Sequence, residues 1–251
     1  VDNPTTRHLV FSDTIFFLFD PTKDVRFRKR CAGKNDPQLS KGSRVQRQEV
    51  LLTEMINRIE KYSGKRRRSK SDKKLIIIVP KCDIWLEQLG YTLPENPWRW
   101  DPEYRTSALD MECIMSTSFS VRALLEQVCP EVVASAESFA DDVLFLPNSA
   151  LGHSPEMNED TGILGIHPRD LQPFWISVPM LYLFYRQGLT PVLRKELQTP
   201  RDLARVDYSI AGDTVFVNVP GEEIPLQVPT FYAGYQLRCP RTGKWFQMPT
   251  V

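Results

Sequence analysis

A run of five apolar residues constrains the fold more than any other feature of this chain. Residues 75–79 (LIIIV) are too few for an ordinary helix, and they lack the alternation of a strand with one face in water. The pattern is typical of a central strand in a parallel sheet covered on both faces. The run ends at residues 80–83 (PKCD). Because ligands bind beyond the carboxyl ends of such strands, Lys81 and Asp83 are candidate ligand contacts, although charged residues also return many strands to solvent.

Two further apolar runs predict strands before and after this one. Residues 14–19 (TIFFLF) end at Asp20, and residues 142–147 (DVLFLP) lead into the loop 148–152 (NSALG). Between the first two strands, residues 44–62 carry apolar side chains at helical spacing opposite a polar face. Strand, helix and strand in that order indicate a βαβ unit.

The rest of the chain predicts a loop insertion, two helices and a region of β-strands beyond residue 191. Residues 86–104 are rich in proline and tryptophan and predict a loop insertion whose tryptophans pack inward. Helices are predicted at residues 107–129, either bent near the middle or divided into two pieces, and at residues 170–188, kinked or interrupted at a proline. Beyond residue 191, β-prone runs separated by Pro-Gly-Glu and Pro-Arg-Thr-Gly predict two antiparallel hairpins.

We therefore predict an α/β fold in two domains. Residues 1–190 are expected to form a three-layer domain around a mostly parallel sheet, and residues 191–251 a small extension rich in β-hairpins.

Composition is that of an ordinary globular protein, with 41% hydrophobic and 25% charged residues. Neither a membrane-spanning run nor a signal peptide is indicated. The five cysteines are scattered without a CxxC pair, which favours reduced thiols and argues against structural zinc. The three histidines are too far apart to indicate a metal site. These features predict a cytoplasmic location.

Charge is unevenly distributed along the chain. Residues 1–80 contain 19 Lys and Arg against 9 Asp and Glu, a balance of +10, whereas the remainder contains 13 against 22, a balance of −9. One basic segment runs from Arg26 to Lys34, and another from Lys65 to Lys74. Such segments are commonly solvated loops. They also support an alternative function, a non-catalytic interaction module that binds nucleic acid, an anionic membrane or an acidic protein partner.

Three residues near the strand ends have competing interpretations. Asp20 and Asp24 follow the first predicted strand and would suit the catalytic carboxylates of a hydrolase, but aspartates at strand ends more often cap the following turn. Cys82 lies between the two charged candidates, where a reactive thiol is one alternative and a buried, inert thiol is the commoner state.

The order of the strand-end motifs resembles the second half of a P-loop GTPase domain. In that family the strand after the main helix ends in [NT]KxD and the next strand ends in SA[KL]; here these positions read PKCD and SAL. The resemblance implies a guanine-binding loop made of Ser149, Ala150 and Leu151 together with Lys81 and Asp83.

Each residue of this loop has an implied role in the family. The aliphatic stem of Lys81 would lie over the guanine ring, and the Asp83 carboxylate would accept hydrogen bonds from the ring N1 proton and the exocyclic amine. The backbone amide of Ala150 would donate to guanine O6. Adenine lacks this combination of donors and acceptor, so the two motifs together predict selectivity for guanine.

The chain also departs from the family pattern. Pro80 replaces the Asn or Thr of the first motif, and a long insertion separates the two motifs, which makes large bacterial double-GTPase-like proteins a closer match than Ras-like ones. The phosphate loop GxxxxGK[ST] does not occur in these residues. The DxxG motif has a partial match at residues 2–5 (DNPT), with Asp2 as a candidate acidic residue on the magnesium side.

The resemblance implies a protein that binds GTP or GDP and acts as a switch or regulatory module. Magnesium and GTP hydrolysis are expected if a phosphate loop precedes Val1, and a non-catalytic protein is expected otherwise.

Overall fold

The computed structural model describes residues 4–31, 36–39, 47–63, 70–158 and 161–250. The helices in these residues are α1 (Pro4–Phe11), α2 (Val25–Arg30), α3 (Gln48–Ser63), α4 (Cys82–Trp85), α5 (Met111–Val128), α6 (Pro130–Phe139) and α7 (Val178–Arg186). The strands are β1 (Thr14–Leu18), β2 (Ser71–Val79), β3 (Trp98–Asp101), β4 (Thr106–Leu109), β5 (Ala140–Pro147), β6 (Glu156–Met157), β7 (Leu164–Gly165), β8 (Leu203–Ala204), β9 (Asp207–Ala211), β10 (Thr214–Asn218), β11 (Leu226–Pro229), β12 (Gln236–Arg238) and β13 (Trp245–Gln247).

A parallel sheet with the strand order β1-β2-β5 positions the candidate site. Ile15 of β1 lies opposite Leu75 of β2, and Ile77 of β2 lies opposite Phe145 of β5. Residues 75–79 are 0 to 8% exposed, which confirms the buried central strand predicted from the sequence. Full burial of each such side chain contributes about 1.5–3 kcal/mol, so this strand is a major part of the core.

Helix α3 confirms the predicted amphipathic helix between the first two strands. Its buried stripe consists of Leu52, Ile56 and Ile59, which recur at intervals of three and four residues. Helix α3 contacts α6, whose own buried stripe includes Val132 and Ala136. The mixed α/β class with a parallel sheet is therefore confirmed.

The chain divides into two compact units. One comprises Val1–Gln88 and Leu125–Ile176 and holds the parallel sheet; the other comprises Leu89–Leu124 and Ser177–Val251 and holds β3, β4 and strands β8 to β13. In the second unit β10 pairs antiparallel with β11, and β12 pairs antiparallel with β13. Both hairpins predicted beyond residue 191 are therefore confirmed. The domain boundary expected near residue 190 stays a prediction.

The proline-rich insertion differs from its prediction. Residues 98–101 form β3 where a loop was expected, and residues 106–109 form its antiparallel partner β4 where the helix 107–129 was expected to begin. Trp100 is 63% exposed and does not pack inward as predicted. Alternation along these four-residue strands is too short a signal to be recognised among prolines.

Two helices also differ from their predictions. Helix α7 begins at Val178, because Pro179 occupies its first turn, where a missing backbone N–H is tolerated. Helix α5 runs without interruption through its buried serines, so it is not divided into two pieces. The Ser120 hydroxyl donates to the Ser116 carbonyl oxygen at 3.0 Å, so this polar side chain is satisfied within the helix.

Candidate functional site

The β2–β5 ladder continues beyond the ends of both strands. The Asn148 amide donates to the Val79 carbonyl at 3.2 Å, and the Cys82 amide donates to the Asn148 carbonyl at 2.9 Å. Asp83 and Ser149 directly follow these two linked residues. The structure therefore brings the two predicted motifs together at one edge of the sheet.

Lys81 adopts an unusual backbone conformation at this edge. Its φ of 58° and ψ of 41° lie in the left-handed region, and its carbonyl accepts the amide of Ile84 at 3.0 Å as α4 begins. This conformation costs a non-glycine residue about 1–2 kcal/mol. Such strain persists where the surrounding structure enforces it, and it is concentrated at functional sites.

The Lys81 ammonium group reaches across to the end of β1. Its Nζ atom lies 2.9 Å from Asp20 Oδ2 and 2.8 Å from Thr22 Oγ1. Burial raises the pKa of the Asp20 carboxyl, but the hydrogen bonds from Lys81 and Thr22 outweigh burial and hold that pKa below its ordinary value. Asp20 is therefore an ionised partner of Lys81 at neutral pH.

Asp20 and Asp24 confirm their predicted capping role. The Asp20 side chain accepts from the Thr22 amide at 2.9 Å, and the Asp24 side chain accepts from the amides of Arg26 and Phe27 at the start of α2. The ion pair between Asp20 and Lys81 was missed from the sequence. The available signal was an aspartate and a lysine at the carboxyl ends of two predicted strands, but the sequence does not show that these strands are neighbours.

An aromatic cluster supports the loop from the side of α4. Trp85 is fully buried, and its ring lies 5.9 Å from that of Phe27 in an edge-to-face arrangement. The indole Nε1 donates to the Pro80 carbonyl oxygen at 3.1 Å. Pro80 is thus held through its carbonyl group, although its ring offers no polar atom.

Asp83 carries the most informative single atom of the site. Its Oδ2 is buried and has no hydrogen-bond partner among the described residues. An unsatisfied buried acceptor costs about 1–3 kcal/mol, and more when it is charged. Native structures rarely leave such an atom unpaired, so each case calls for an explanation such as an absent ligand or water.

Backbone groups of Ser149 and Leu151 are occupied by hydrogen bonds within the fold. Ser149 is 2% exposed and exchanges backbone hydrogen bonds of 3.0 and 2.8 Å with Phe174. The Leu151 carbonyl accepts the Gln172 amide at 3.0 Å. Ala150 between them is exposed, and its amide has no hydrogen-bond partner among the described residues. The amide expected to meet guanine O6 is therefore available to a ligand.

A glycine holds this loop against the segment that follows it. The Gly152 amide donates to Ser149 Oγ at 2.9 Å, and its φ is 84°. A Cβ atom at this position would lie 2.0 Å from the Gln172 carbonyl oxygen, inside the van der Waals distance. Only glycine fits here without displacing backbone.

A cavity of about 420 Å³ lies further along the chain, and sequence reasoning did not find it. It is lined by His153, Glu156, Met157, Asn158, Gly165, Ile166, His167 and Asp170. Both ring nitrogens of His153 already face carbonyl oxygens, those of Ser154 at 2.9 Å and Asp170 at 3.1 Å. The cavity contains neither Lys81 nor Asp83. Its lining comes from short loop segments whose approach no periodic pattern signals.

The magnesium side of the expected site stays a prediction. In the part of the chain that the structure describes, no group of three or more His, Cys, Asp or Glu side chains is arranged to hold a metal ion. Asp2, the candidate acidic residue, lies outside the described residues.

The basic segments are partly engaged with the chain itself. Residues 32–35 and 64–69 lie outside the described residues. In the described parts, basic side chains contact acceptors of the same chain: Arg26 with Glu131, Arg28 with the Leu39 carbonyl, Arg30 with Gln88, Lys70 with Asp141, and Lys73 with the Val10 carbonyl. Polyanion binding through these segments stays a prediction.

Comparison with known proteins adds no constraint to this geometry. No protein-family model, curated protein or solved structure matches the chain. No helix in the described part of the chain combines the length and the apolar character needed to cross a membrane.

Proposed function

We propose that this chain binds guanine nucleotides on a three-layer, P-loop GTPase-like domain and acts as a switch or regulatory module. One observation carries the proposal: the Oδ2 atom of Asp83 is buried and unpaired among the described residues. It lies at the edge of the parallel sheet, where open α/β folds bind their ligands. A bound group that donates hydrogen bonds would satisfy this atom.

Guanine is the base whose donors suit a carboxylate best. Its ring N1 proton and exocyclic amine are adjacent donors, and an ionised carboxylate offers two oxygens that accept them side by side. Guanine O6 is an acceptor, which suits the Ala150 amide in the neighbouring loop, since that amide has no hydrogen-bond partner among the described residues. Adenine presents an acceptor at N1 and a donor at position 6, so it would leave both protein groups unsatisfied.

The residues divide between recognition and support. Asp83 and Ala150 would contact the edge of the base, and the stem of Lys81 would lie against its face. Ser149 and Leu151 hold Ala150 in place through their bonds to residues 172–174. No described residue is assigned to the phosphates, so the proposal covers recognition of the base, and hydrolysis depends on a phosphate loop outside these residues.

Nucleotide titrations test the proposal directly. Binding of GDP, IDP and ADP is measured by isothermal titration calorimetry with the wild type, with Asp83→Ala and with Asp141→Ala. Asp141 is a matched control because it is a carboxylate in an exposed surface pair with Lys70. We expect the wild type and the control to prefer GDP over ADP.

The inosine nucleotide separates the two hydrogen bonds. It keeps O6 and the N1 proton but lacks the exocyclic amine, so IDP should bind about tenfold more weakly than GDP, as expected for one hydrogen bond to a charged group. Asp83→Ala should abolish the difference between GDP and IDP and leave only the smaller preference over ADP that the Ala150 amide supplies through O6. A wild type without guanine preference, or a preference of GDP over IDP that survives Asp83→Ala, refutes the proposal.

A further inference from the structure

The Lys81 ammonium group is fixed by oxygen atoms of the chain and does not extend into solvent. An ammonium group has three N–H donors, and two of them have partners here: Asp20 Oδ2 and Thr22 Oγ1. The Lys81 side chain is 32% exposed, and that of Asp20 is 25% exposed. The stem of Lys81 therefore spans from the end of β2 to the residues that follow β1.

The partners of Lys81 are themselves held in place. The Asp20 amide donates to Gln48 Oε1 at 2.8 Å, and Gln48 Nε2 donates back to the Asp20 carbonyl at 2.7 Å. Gln48 is 5% exposed and is the first residue of α3. Thr22 is 2% exposed, and its hydroxyl donates to Asp20 Oδ1 at 2.7 Å. This network connects the start of α3 to the Lys81 side chain through partly buried hydrogen bonds.

The hydroxyl of Thr22 can serve both neighbours at once. It donates its single proton to Asp20 and accepts from Lys81 through a lone pair, which uses the group as donor and acceptor. Loss of this hydroxyl would break two contacts, whereas a serine would retain both. The main chain of Lys81 is fixed as well, since its left-handed conformation begins α4.

We propose that Asp20 and Thr22 are positioning residues for the base site, which hold the Lys81 ammonium group so that the side chain presents its aliphatic stem to the base. The inference rests on the proposed function. Its physical basis is that an immobilised side chain loses no conformational freedom when the ligand binds. Affinity for a nucleotide then depends on residues after β1, while the choice of base stays with Asp83 and the Ala150 amide.

The contact itself is tested without nucleotide. The native protein is treated with an amine-acylating reagent, and the modification rate of each lysine is measured by mass spectrometry. Asp20→Asn and Thr22→Val should accelerate modification of Lys81 several-fold, and Thr22→Ser should restore the wild-type rate. Asp141→Asn is the matched control, because it releases Lys70 from its pair and should leave Lys81 unchanged. An unchanged Lys81 rate in Asp20→Asn overturns the inference.

The positioning role is tested by titration with GDP and ADP. Asp20→Asn and Thr22→Val should each weaken GDP binding about two- to tenfold, the effect of freeing one flexible side chain. The ratio of GDP to ADP affinity should stay unchanged, and Thr22→Ser should bind as the wild type does. A purely structural role would instead make each variant's loss of GDP affinity follow its loss of free energy of unfolding, which urea denaturation measures.

The two proposals fail in different ways. If the wild type prefers GDP but Asp20→Asn binds it equally well, the positioning role is wrong and the proposed function stands. If the wild type shows no preference for guanine, the proposed function is wrong and the role at a base falls with it. The acylation rates then still report whether the Lys81 contact exists in solution.

Discussion

Replacing Gly152 by alanine should detach the loop 149–151 from residues 172–174, which hold it through backbone hydrogen bonds. The added Cβ would lie 2.0 Å from the Gln172 carbonyl oxygen and 2.7 Å from its carbonyl carbon, so the backbone on one side must move. That movement breaks the hydrogen bond from Gln172 to Leu151 and the one from Gly152 to Ser149. Each bond contributes about 0.5–1.5 kcal/mol to the free energy of unfolding.

Gly162 is a matched control for the backbone term alone. Its φ of 67° is also in the left-handed region, but a Cβ there would meet nothing within 4 Å. Gly162→Ala should therefore lower the free energy of unfolding by about 1–2 kcal/mol, the cost of a left-handed non-glycine residue. Gly152→Ala adds the two lost hydrogen bonds, for a total of about 2–5 kcal/mol.

Urea denaturation followed by tryptophan fluorescence measures both variants, with the midpoint and slope giving each free energy of unfolding. Gly152→Ala should also weaken GDP binding, because the Ala150 amide moves with the loop, whereas Gly162→Ala should bind as the wild type does. Equal destabilisation by the two substitutions would refute the steric argument, because it would show that residue 172 yields without loss.

Two further predictions concern titratable groups. The pKa of Asp20 is lower in the folded protein than in the unfolded chain, so its ionisation stabilises the fold above about pH 4 and this contribution is lost as the pH falls through the folded pKa. Urea denaturation should find a stability difference between the wild type and Asp20→Asn at pH 6 that shrinks towards pH 2; a constant difference would contradict the assignment. Burial raises the pKa of the Cys82 thiol to about 12, so a neutral alkylating reagent at pH 8 should leave it unmodified in the native protein and modify it in urea. Native-state alkylation of Cys82 would contradict this prediction, because it would show that residues 80–83 open to solvent.

The sequence predicts the sheet well because its strands are short, wholly apolar runs. Residues 75–79 and 142–147 have few alternatives to a buried strand, and the amphipathic pattern of α3 is equally direct. The sequence also places Lys81 and Asp83 at a strand end, since Pro80 marks where the strand stops. These features are local, and local patterns are what a single sequence reports.

Contacts between distant segments are not predicted in the same way. The pair Asp20–Lys81 joins residues 61 positions apart, and it forms because β1 and β2 are neighbours in the sheet. The sequence contains both residues but not the strand order. The hydrogen bonds of residues 172 and 174 to the loop 149–151 were likewise not predicted. The sequence predicts a helix from residue 170, whereas α7 begins only at Val178, with Pro179 in its first turn.

Main-chain atoms set the spacing of the two loops at the candidate site. Asn148 links Val79 to Cys82 through its own amide and carbonyl, so the side chains at positions 80 and 148 do not determine how far apart the loops lie. The site should therefore accept many residue types at these two positions. Loop length is a different matter, because one inserted residue between Val79 and Cys82 would shift by one step the pairing that continues the ladder.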